Sequence, residues 1–239
     1  MKSGYLNLLV GSLLTHVLPV WNYIKVDGVM VNAFDILRRN SISVRIYEKG
    51  LRGHLSLNMD TVVVVDSGGF QYLRYGVKPP LSNLSRLYRS LKEQDDNMYF
   101  VSLDYPPSPW DELSEREIKI KKTINNYEAM LKHVFTDKID KLIPVVHLAP
   151  NMRLIEEQIK TYSQSSLIGI GGLVPYIMSR GPKNSRLVVF AFIILVQRLL
   201  KDFAGRSKVH IFGLGAPSVI PFLRLLSVHS TDSMTWRVK

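Results

Sequence analysis

Short apolar segments separated by helical patterns are the feature that most restricts the fold of this chain. Each segment is rich in Val, Ile and Leu, and most are bounded by glycine or polar residues. Their short length and β-branched content predict strands that are buried on both faces. The eight segments are residues 5–11, 28–33, 61–65, 98–103, 142–147, 166–170, 208–213 and 227–231.

Helical periodicity fills most of the intervals between these segments. Strands that alternate with helices predict βα units and a parallel sheet. Eight strands in 239 residues therefore predict an α/β fold, a compact (β/α)8 TIM barrel, because such barrels typically need about 250 residues. The alternative is an open doubly wound sheet. The predicted helices are residues 81–94, 113–135, 149–163, 185–203 and 216–226.

We expect residues 1–239 to form one domain. The polar segment 38–60 predicts a small hairpin or a loop over the barrel. Only seven residues follow Asp232, so we expect the last helix of the barrel to be short or missing. Such a barrel exposes apolar surface, which favours a homodimer or a cover by other proteins.

Charge and cysteine content restrict the partners. Lys and Arg number 31 against 20 Asp and Glu, giving a net charge of +11. This excess favours a polyanion such as nucleic acid, because each neutralised phosphate releases counterions. The chain has no cysteine, which excludes disulfides and thiolate metal sites and fits a cytoplasmic protein. The most apolar run, residues 187–196, is too short to span a bilayer, so we expect no membrane partner.

Polar residues and glycines follow the predicted strands at the points where the strands end. Asp66 follows the third strand, Asp104 the fourth, and Asp232 the eighth. His147 ends the fifth strand, and pairs of glycines follow the sixth and seventh. In a parallel barrel these positions share one rim, which is where barrel active sites are built.

Each of these positions also has an ordinary structural explanation. An acid after a strand is often a helix N-cap, a glycine there often makes a tight turn, and a lone histidine is often a core residue. Their occurrence together at one rim indicates an active site more strongly than any one of them alone. Three carboxylates suit chemistry at a sugar carbon, where one attacks and another moves a proton. Phe70 and Phe212 are candidates to sandwich a base, although both also suit a core.

The fragments "DSGGFQ", "SLDYPPSP", "IGIGGLVP", "HIFGLGAP" and a late "TDS" occur here in the order found in tRNA-guanine transglycosylases. The chain resembles that superfamily from about residue 62 to residue 236. It is most similar to the 7-deazapurine DNA transglycosylases of phages and bacterial DNA-modification systems, in which "GGLVP" and an ending like "DSMTW" are typical.

The resemblance implies a TIM barrel that removes guanine from a polynucleotide and inserts a 7-deazaguanine such as preQ0. It implies that Asp232 attacks C1′ to form a covalent intermediate. It implies that Asp66 acts as acid and base, and that Asp104 reads the amine and the ring N–H of the purine. The other positions implied to bind the base are Ser67, Gly68, Gly69, Phe70, Gln71, His147, Gly171, Gly172, Leu173, Phe212 and Gly213.

Two departures from the tRNA enzymes stand out. His147 occupies the position where those enzymes usually have glutamine. Their Cys/His zinc site has no counterpart, so we expect neither a metal nor another cofactor. For the phosphates of a nucleic acid, we expect Arg180, Lys183 and Arg186 to provide contacts, although a solvated charged loop explains them equally well.

DNA is the substrate that we expect from the resemblance, together with a 7-deazapurine base. The alternatives are the same exchange on tRNA, a non-catalytic nucleic-acid-binding subunit, and a glycosidase in which water completes the reaction.

Overall fold

A computed structural model describes residues 6–177, 185–205 and 208–234. Within them, nine parallel strands form one sheet in the order β5-β4-β3-β2-β1-β9-β8-β7-β6. The strands are β1 Asn7–Gly11, β2 Gly28–Asn32, β3 Val62–Asp66, β4 Met98–Val101, β5 Leu142–Ile143, β6 Val145–His147, β7 Leu167–Gly171, β8 Lys208–Ile211 and β9 Ser230–Ser233.

Strands β5 and β6 are two halves of one predicted strand, separated by Pro144. The first half pairs with β4 through Leu142 and Phe100, and the second pairs with β7 through Val145 and Gly169. Pro144 lacks an amide hydrogen, but its carbonyl oxygen accepts a hydrogen bond from Gly169 N at 2.8 Å. This segment therefore joins the two ends of the sheet. The TIM-like barrel predicted from the sequence is confirmed, and the open-sheet alternative is wrong.

The helices surround the barrel, and the five that the sequence predicts are confirmed in type and approximate position. Three short helices, over residues 33–38, 69–74 and 174–177, were not predicted. The described helices are α1 Ala33–Arg38, α2 Asn40–Leu55, α3 Gly69–Arg74, α4 Leu81–Lys92, α5 Leu113–His133, α6 Met152–Thr161, α7 Val174–Ile177, α8 Ser185–Ala204 and α9 Ile220–Leu225.

The prediction of a hairpin or loop over residues 38–60 is wrong, because most of this segment forms α2. Gly50 interrupts the helix with a φ of 70°, and the apolar spacing shifts there, because the buried residues on either side of it, Ile46 and Leu51, are five rather than four positions apart. Arg52 also lies buried on the inner face, where it pairs with Asp95. The shift and the buried cation together obscure the apolar periodicity. The buried apolar residues of α2 are Ile42, Ile46, Leu51 and Leu55.

The valine run of β3 is buried on both sides of the sheet. Val62 and Val64 belong to the apolar cluster inside the barrel, whereas Val63 and Val65 pack outward against the helices. Because side chains alternate along a strand, the next inward position after Val64 is Asp66. The same alternation that fills the barrel with valine therefore places a carboxyl group in its mouth.

Some apolar surface remains exposed around β1 and α9. Leu225 is 81% exposed and Phe222 is 51% exposed. The expectation of a short or missing last helix concerns residues after β9, of which only Met234 is described.

Among the described helices, none has both the length and the apolar character needed to cross a membrane.

Candidate active site

Asp66, Asp104 and Asp232 lie close enough at the mouth of the barrel for their charges to interact. The pKa of Asp66 is raised from 3.8 to about 8, mainly by burial and in addition by the nearby carboxylates of Asp104 and Asp232. The amide groups of Ser67 and Gly68 oppose this rise by hydrogen bonding to Asp66. Asp66 is therefore mostly protonated at neutral pH.

Asn32 fixes one oxygen of Asp66. Its register partner in the sheet is Asp66 itself, and its Nδ2 donates a hydrogen bond to Asp66 Oδ2 at 2.8 Å. Its Oδ1 accepts from Phe34 N at 2.9 Å, so Asn32 also caps α1. The sequence interpretation missed Asn32. An asparagine between a strand and a helix is a recognisable N-cap signal, but its bond to Asp66 depends on the sheet register.

Asp104 follows β4 by three residues and contacts His147. The Nε2 atom of His147 lies 3.1 Å from Asp104 Oδ2, and Ser67 Oγ donates to Asp104 Oδ1 at 3.3 Å. His147 is completely buried, and among the described residues neither of its ring nitrogens has a partner with hydrogen-bond geometry, so the approach to Asp104 is a close charge contact. A buried histidine against a carboxylate thus limits how the Asp104 side chain can move.

Gln158 of α6 holds the backbone of His147 at two points. The amide N–H of His147 donates to Gln158 Oε1 at 2.8 Å, and Gln158 Nε2 donates to the carbonyl oxygen of His147 at 3.0 Å. Gln158 is completely buried. The sequence interpretation missed it, and the only available signal was one amide on an otherwise apolar helix face.

Three of the predicted glycines lie against the acids or against His147. A Cβ on Gly69 would collide with both the carbonyl oxygen and Oδ1 of Asp104. At Gly171, a Cβ would stand 2.8 Å from Val145 Cγ1 and 3.1 Å from His147 Cε1. Gly68 has a φ of 86°, which disfavours any other residue. Close packing explains Gly69 and Gly171, and the left-handed backbone explains Gly68, while the contact of all three with a ligand stays a prediction.

Asp232 lies within β9, rather than after it as the sequence pattern indicated. Its Oδ1 accepts a hydrogen bond from Gly213 N at 2.8 Å and lies 3.3 Å from His210 Nε2. On the other side of the imidazole, His210 Nδ1 lies 2.8 Å from Ser230 Oγ. The sequence interpretation missed His210 and Ser230, although each stands two residues before a chosen position, on the same face of its strand.

The two phenylalanines differ in environment. Phe70, in α3, is 56% exposed. Phe212 is partly buried, its ring packs against Gly169, and it meets the ring of His210 edge-on with centroids 4.5 Å apart. Phe70 is thus available to a ligand, whereas Phe212 is also part of the barrel interior.

Comparison with known proteins identifies similar chains. No family model matches this chain. It is 25% identical to the tRNA-guanine(15) transglycosylase of Sulfolobus acidocaldarius over 91% of this chain and 43% of that protein. It is 26% identical to the tRNA-guanine(15) transglycosylase of Pyrococcus furiosus over 88% of this chain and 34% of that protein. These low-identity similarities support the resemblance of this chain to the tRNA-guanine transglycosylase superfamily.

A further similar protein is viral. The chain is 28% identical to uncharacterized protein 306 of Sulfolobus islandicus rod-shaped virus 1, over 72% of this chain and 48% of that protein. The chain thus spans less than half the length of each of these relatives.

The remaining predicted residues differ in burial, and two of them lie outside the described part of the chain. Leu173 is completely buried, and Gln71 Oε1 is buried with no hydrogen-bond partner in the part of the chain that the structure describes. Arg186, in α8, donates to the carbonyl oxygen of Ile177. Arg180 and Lys183 lie outside the described residues. Among the described residues, no group of three His, Asp or Glu side chains is arranged to hold a metal ion.

Proposed function

We propose that this chain exchanges guanine in a polynucleotide for a 7-deazaguanine base through a covalent enzyme–sugar intermediate. The observation that supports this function best is the proximity of Asp66, Asp104 and Asp232 in one barrel mouth. Their environments differ, since Asp66 holds a proton at neutral pH and Asp232 accepts a hydrogen bond from Gly213. Carboxyl groups held in different environments within one site are typical of enzymes in which one acid moves a proton and another acts as the nucleophile.

In the first half of the reaction, the carboxylate of Asp232 attacks C1′ of the target nucleotide. A bond forms between an Asp232 oxygen and C1′, and the bond from C1′ to N9 breaks. Its electron pair leaves with the guanine, and the guanine takes up the proton that Asp66 holds. The products are free guanine, ionised Asp66 and a sugar ester of Asp232.

In the second half, a 7-deazaguanine occupies the place of the departed guanine. Its N9 proton passes to the ionised carboxylate of Asp66, and its N9 electron pair attacks C1′. The ester bond to Asp232 then breaks and regenerates the carboxylate. Two displacements retain the configuration at C1′.

Asp104 is the residue that we propose to read the base. An ionised carboxylate only accepts hydrogen bonds, so it suits the ring N–H and amine that guanine and 7-deazaguanine share. The backbone of Gly171, Gly172 and Leu173 is proposed to face the purine carbonyl group. Phe70 is proposed to stack on the base from the exposed side, and Phe212 from the barrel side.

DNA is the polymer that we propose, with preQ0 as the incoming base. The motifs that resemble those of the 7-deazapurine DNA transglycosylases support this choice. The net charge of +11 suits the phosphates of DNA and of RNA equally. The relatives named tRNA-guanine(15) transglycosylase favour tRNA as the second candidate. In both cases the target base must leave its stack before it reaches the acids.

Incubation of the full chain with labelled guanine or preQ0 tests the proposal. Duplex DNA, single-stranded DNA and tRNA are supplied in separate reactions. Label in DNA supports the lead proposal, and label in tRNA alone supports the second candidate. Abasic product without label indicates a glycosidase, and binding without any product indicates a non-catalytic subunit. Either of the last two outcomes overturns the exchange reaction.

A further inference from the structure

His210 lies buried between Ser230 and Asp232, behind the carboxylate that we propose as the nucleophile. The side chain of His210 is only 2% exposed. Its Nδ1 lies 2.8 Å from Ser230 Oγ, and its Nε2 lies 3.3 Å from Asp232 Oδ1. The three side chains therefore form a continuous chain from the barrel interior to the mouth.

The sheet fixes the positions of these three side chains. His210 and Ser230 are register partners in the pairing of β8 with β9. Asp232 follows Ser230 by two residues, so it lies on the same face of β9. The ring of Phe212 closes the arrangement by packing edge-on against the imidazole at 4.5 Å. Little room remains for the imidazole to rotate.

Hydrogen-bond chemistry decides which nitrogen carries the proton. An ionised Asp232 only accepts hydrogen bonds, so Nε2 of His210 must be the donor. In a neutral imidazole, Nδ1 is then the acceptor, and the hydroxyl group of Ser230 is its donor. Asp232 therefore selects the tautomer that presents an N–H group to it, and the hydroxyl group of Ser230 satisfies the other nitrogen and fixes the ring orientation.

We infer that His210, oriented by Ser230, is a positioning residue for Asp232, an inference that rests on the proposed function. His210 and the amide of Gly213 both hold Oδ1, which leaves Oδ2 as the atom that attacks C1′. In the covalent intermediate, Oδ1 becomes the carbonyl oxygen of the ester. The same two donors then stabilise the carboxylate as it leaves C1′ in the second half of the reaction.

Substitutions at His210 test this inference through the kinetics of exchange. His210→Leu removes the N–H donor. In His210→Gln, the side-chain amide nitrogen reaches the position of Nε2 and retains a donor to Asp232. We expect His210→Leu to lower kcat about 10²-fold, with little change in KM for the polynucleotide because His210 does not face it. We expect His210→Gln to recover most of the loss, and Ser230→Ala to be intermediate.

His229→Gln is the matched control. His229 immediately precedes β9 and lines a groove at the amino ends of the strands, the ends opposite to the mouth. We expect it to keep the wild-type kcat. Thermal unfolding of every variant shows whether lost activity follows from lost folding. Wild-type kcat in a folded His210→Leu variant overturns the inference, and so does equal loss in His210→Leu and His210→Gln.

A second measurement does not depend on turnover. Nitrogen NMR of labelled wild-type protein distinguishes an imidazole protonated at Nε2 from one protonated at Nδ1. We expect a proton on Nε2, and a neutral ring protonated only at Nδ1 overturns the inference. If the wild type exchanges no base into any polymer, the proposed function fails. If it exchanges bases and His210→Leu does so equally well, only the positioning role fails.

Discussion

The imidazole of His147 lies 3.1 Å from the carboxylate of Asp104, and the imidazole of His210 lies 3.3 Å from that of Asp232. Both histidines are buried behind the acid that they contact. Asp66 instead receives a hydrogen bond from the neutral amide of Asn32. The mouth therefore contains two acids backed by imidazole groups and one acid that retains a proton.

The first prediction concerns Asp232→Asn. Asparagine keeps an oxygen that accepts from Gly213 and His210, but it has no carboxylate to attack C1′. We expect exchange of labelled guanine to fall about 10⁴-fold, with nucleic-acid affinity in a fluorescence titration unchanged. Denaturing gels should show a protein–nucleic acid adduct for the wild type and none for the variant. Asp202→Asn, on the exposed side of α8, is the control, and an Asp232→Asn variant that still turns over would exclude Asp232 as the nucleophile.

The second prediction concerns stability against pH. Asp66 has a pKa of about 8 in the folded protein, against an ordinary value of 3.8. Between these two values, the folded state keeps a proton that the unfolded state loses, so this acid makes the protein less stable as pH rises from about 4 to about 8. Asp66→Asn removes that dependence. We expect its free energy of unfolding to exceed that of the wild type by at least about 1 kcal/mol at pH 7, measured by urea unfolding.

The control for that prediction is Asp60→Asn, because Asp60 is exposed. The difference between Asp66→Asn and wild type should grow steadily from pH 4 to pH 8, whereas Asp60→Asn should follow the wild-type curve. Parallel curves for Asp66→Asn and wild type would show that Asp66 ionises normally in the folded protein.

The third prediction concerns Gln158→Leu. Leucine fills the buried space but leaves the amide N–H and the carbonyl oxygen of His147 without their side-chain partner. We expect a loss of about 1–3 kcal/mol in the free energy of unfolding. We also expect a higher KM for the incoming base, because His147 is then held less firmly against Asp104. Gln94→Leu, at an exposed position, should change neither quantity; unchanged stability of Gln158→Leu would contradict the proposed support.

The fourth prediction concerns Phe70→Ala. The ring is 56% exposed, so its removal should leave the melting temperature almost unchanged. A stacked aromatic contributes about 1–3 kcal/mol per base, which corresponds to a rise of about five- to 150-fold in KM for the base. Tyr47→Ala, at a ring that is 90% exposed on α2, is the control. Equal KM values for the base in both variants and the wild type would show that Phe70 does not stack on the base.

Local sequence patterns were sufficient to predict most of the strands and the end of the barrel that forms the mouth. Apolar runs such as Val62–Val65 predicted the buried strands, and the polar residues after them predicted which ends form the mouth. Both signals are contained in a few consecutive residues. The helix α2 was missed for a local reason as well, because Gly50 shifts its phase and no periodic pattern spans the break.

The sequence by itself determined the alternation of strands and helices and the identity of the three acids, because burial on both faces of a strand leaves a readable apolar run. Only the tertiary structure decided which side chains support those acids. Asn32 reaches Asp66, Gln158 reaches His147, and His210 reaches Asp232 across 34, 11 and 22 positions of sequence, respectively. Such contacts depend on the register of neighbouring strands and on helix packing, and neither is set by the residues adjacent in the chain.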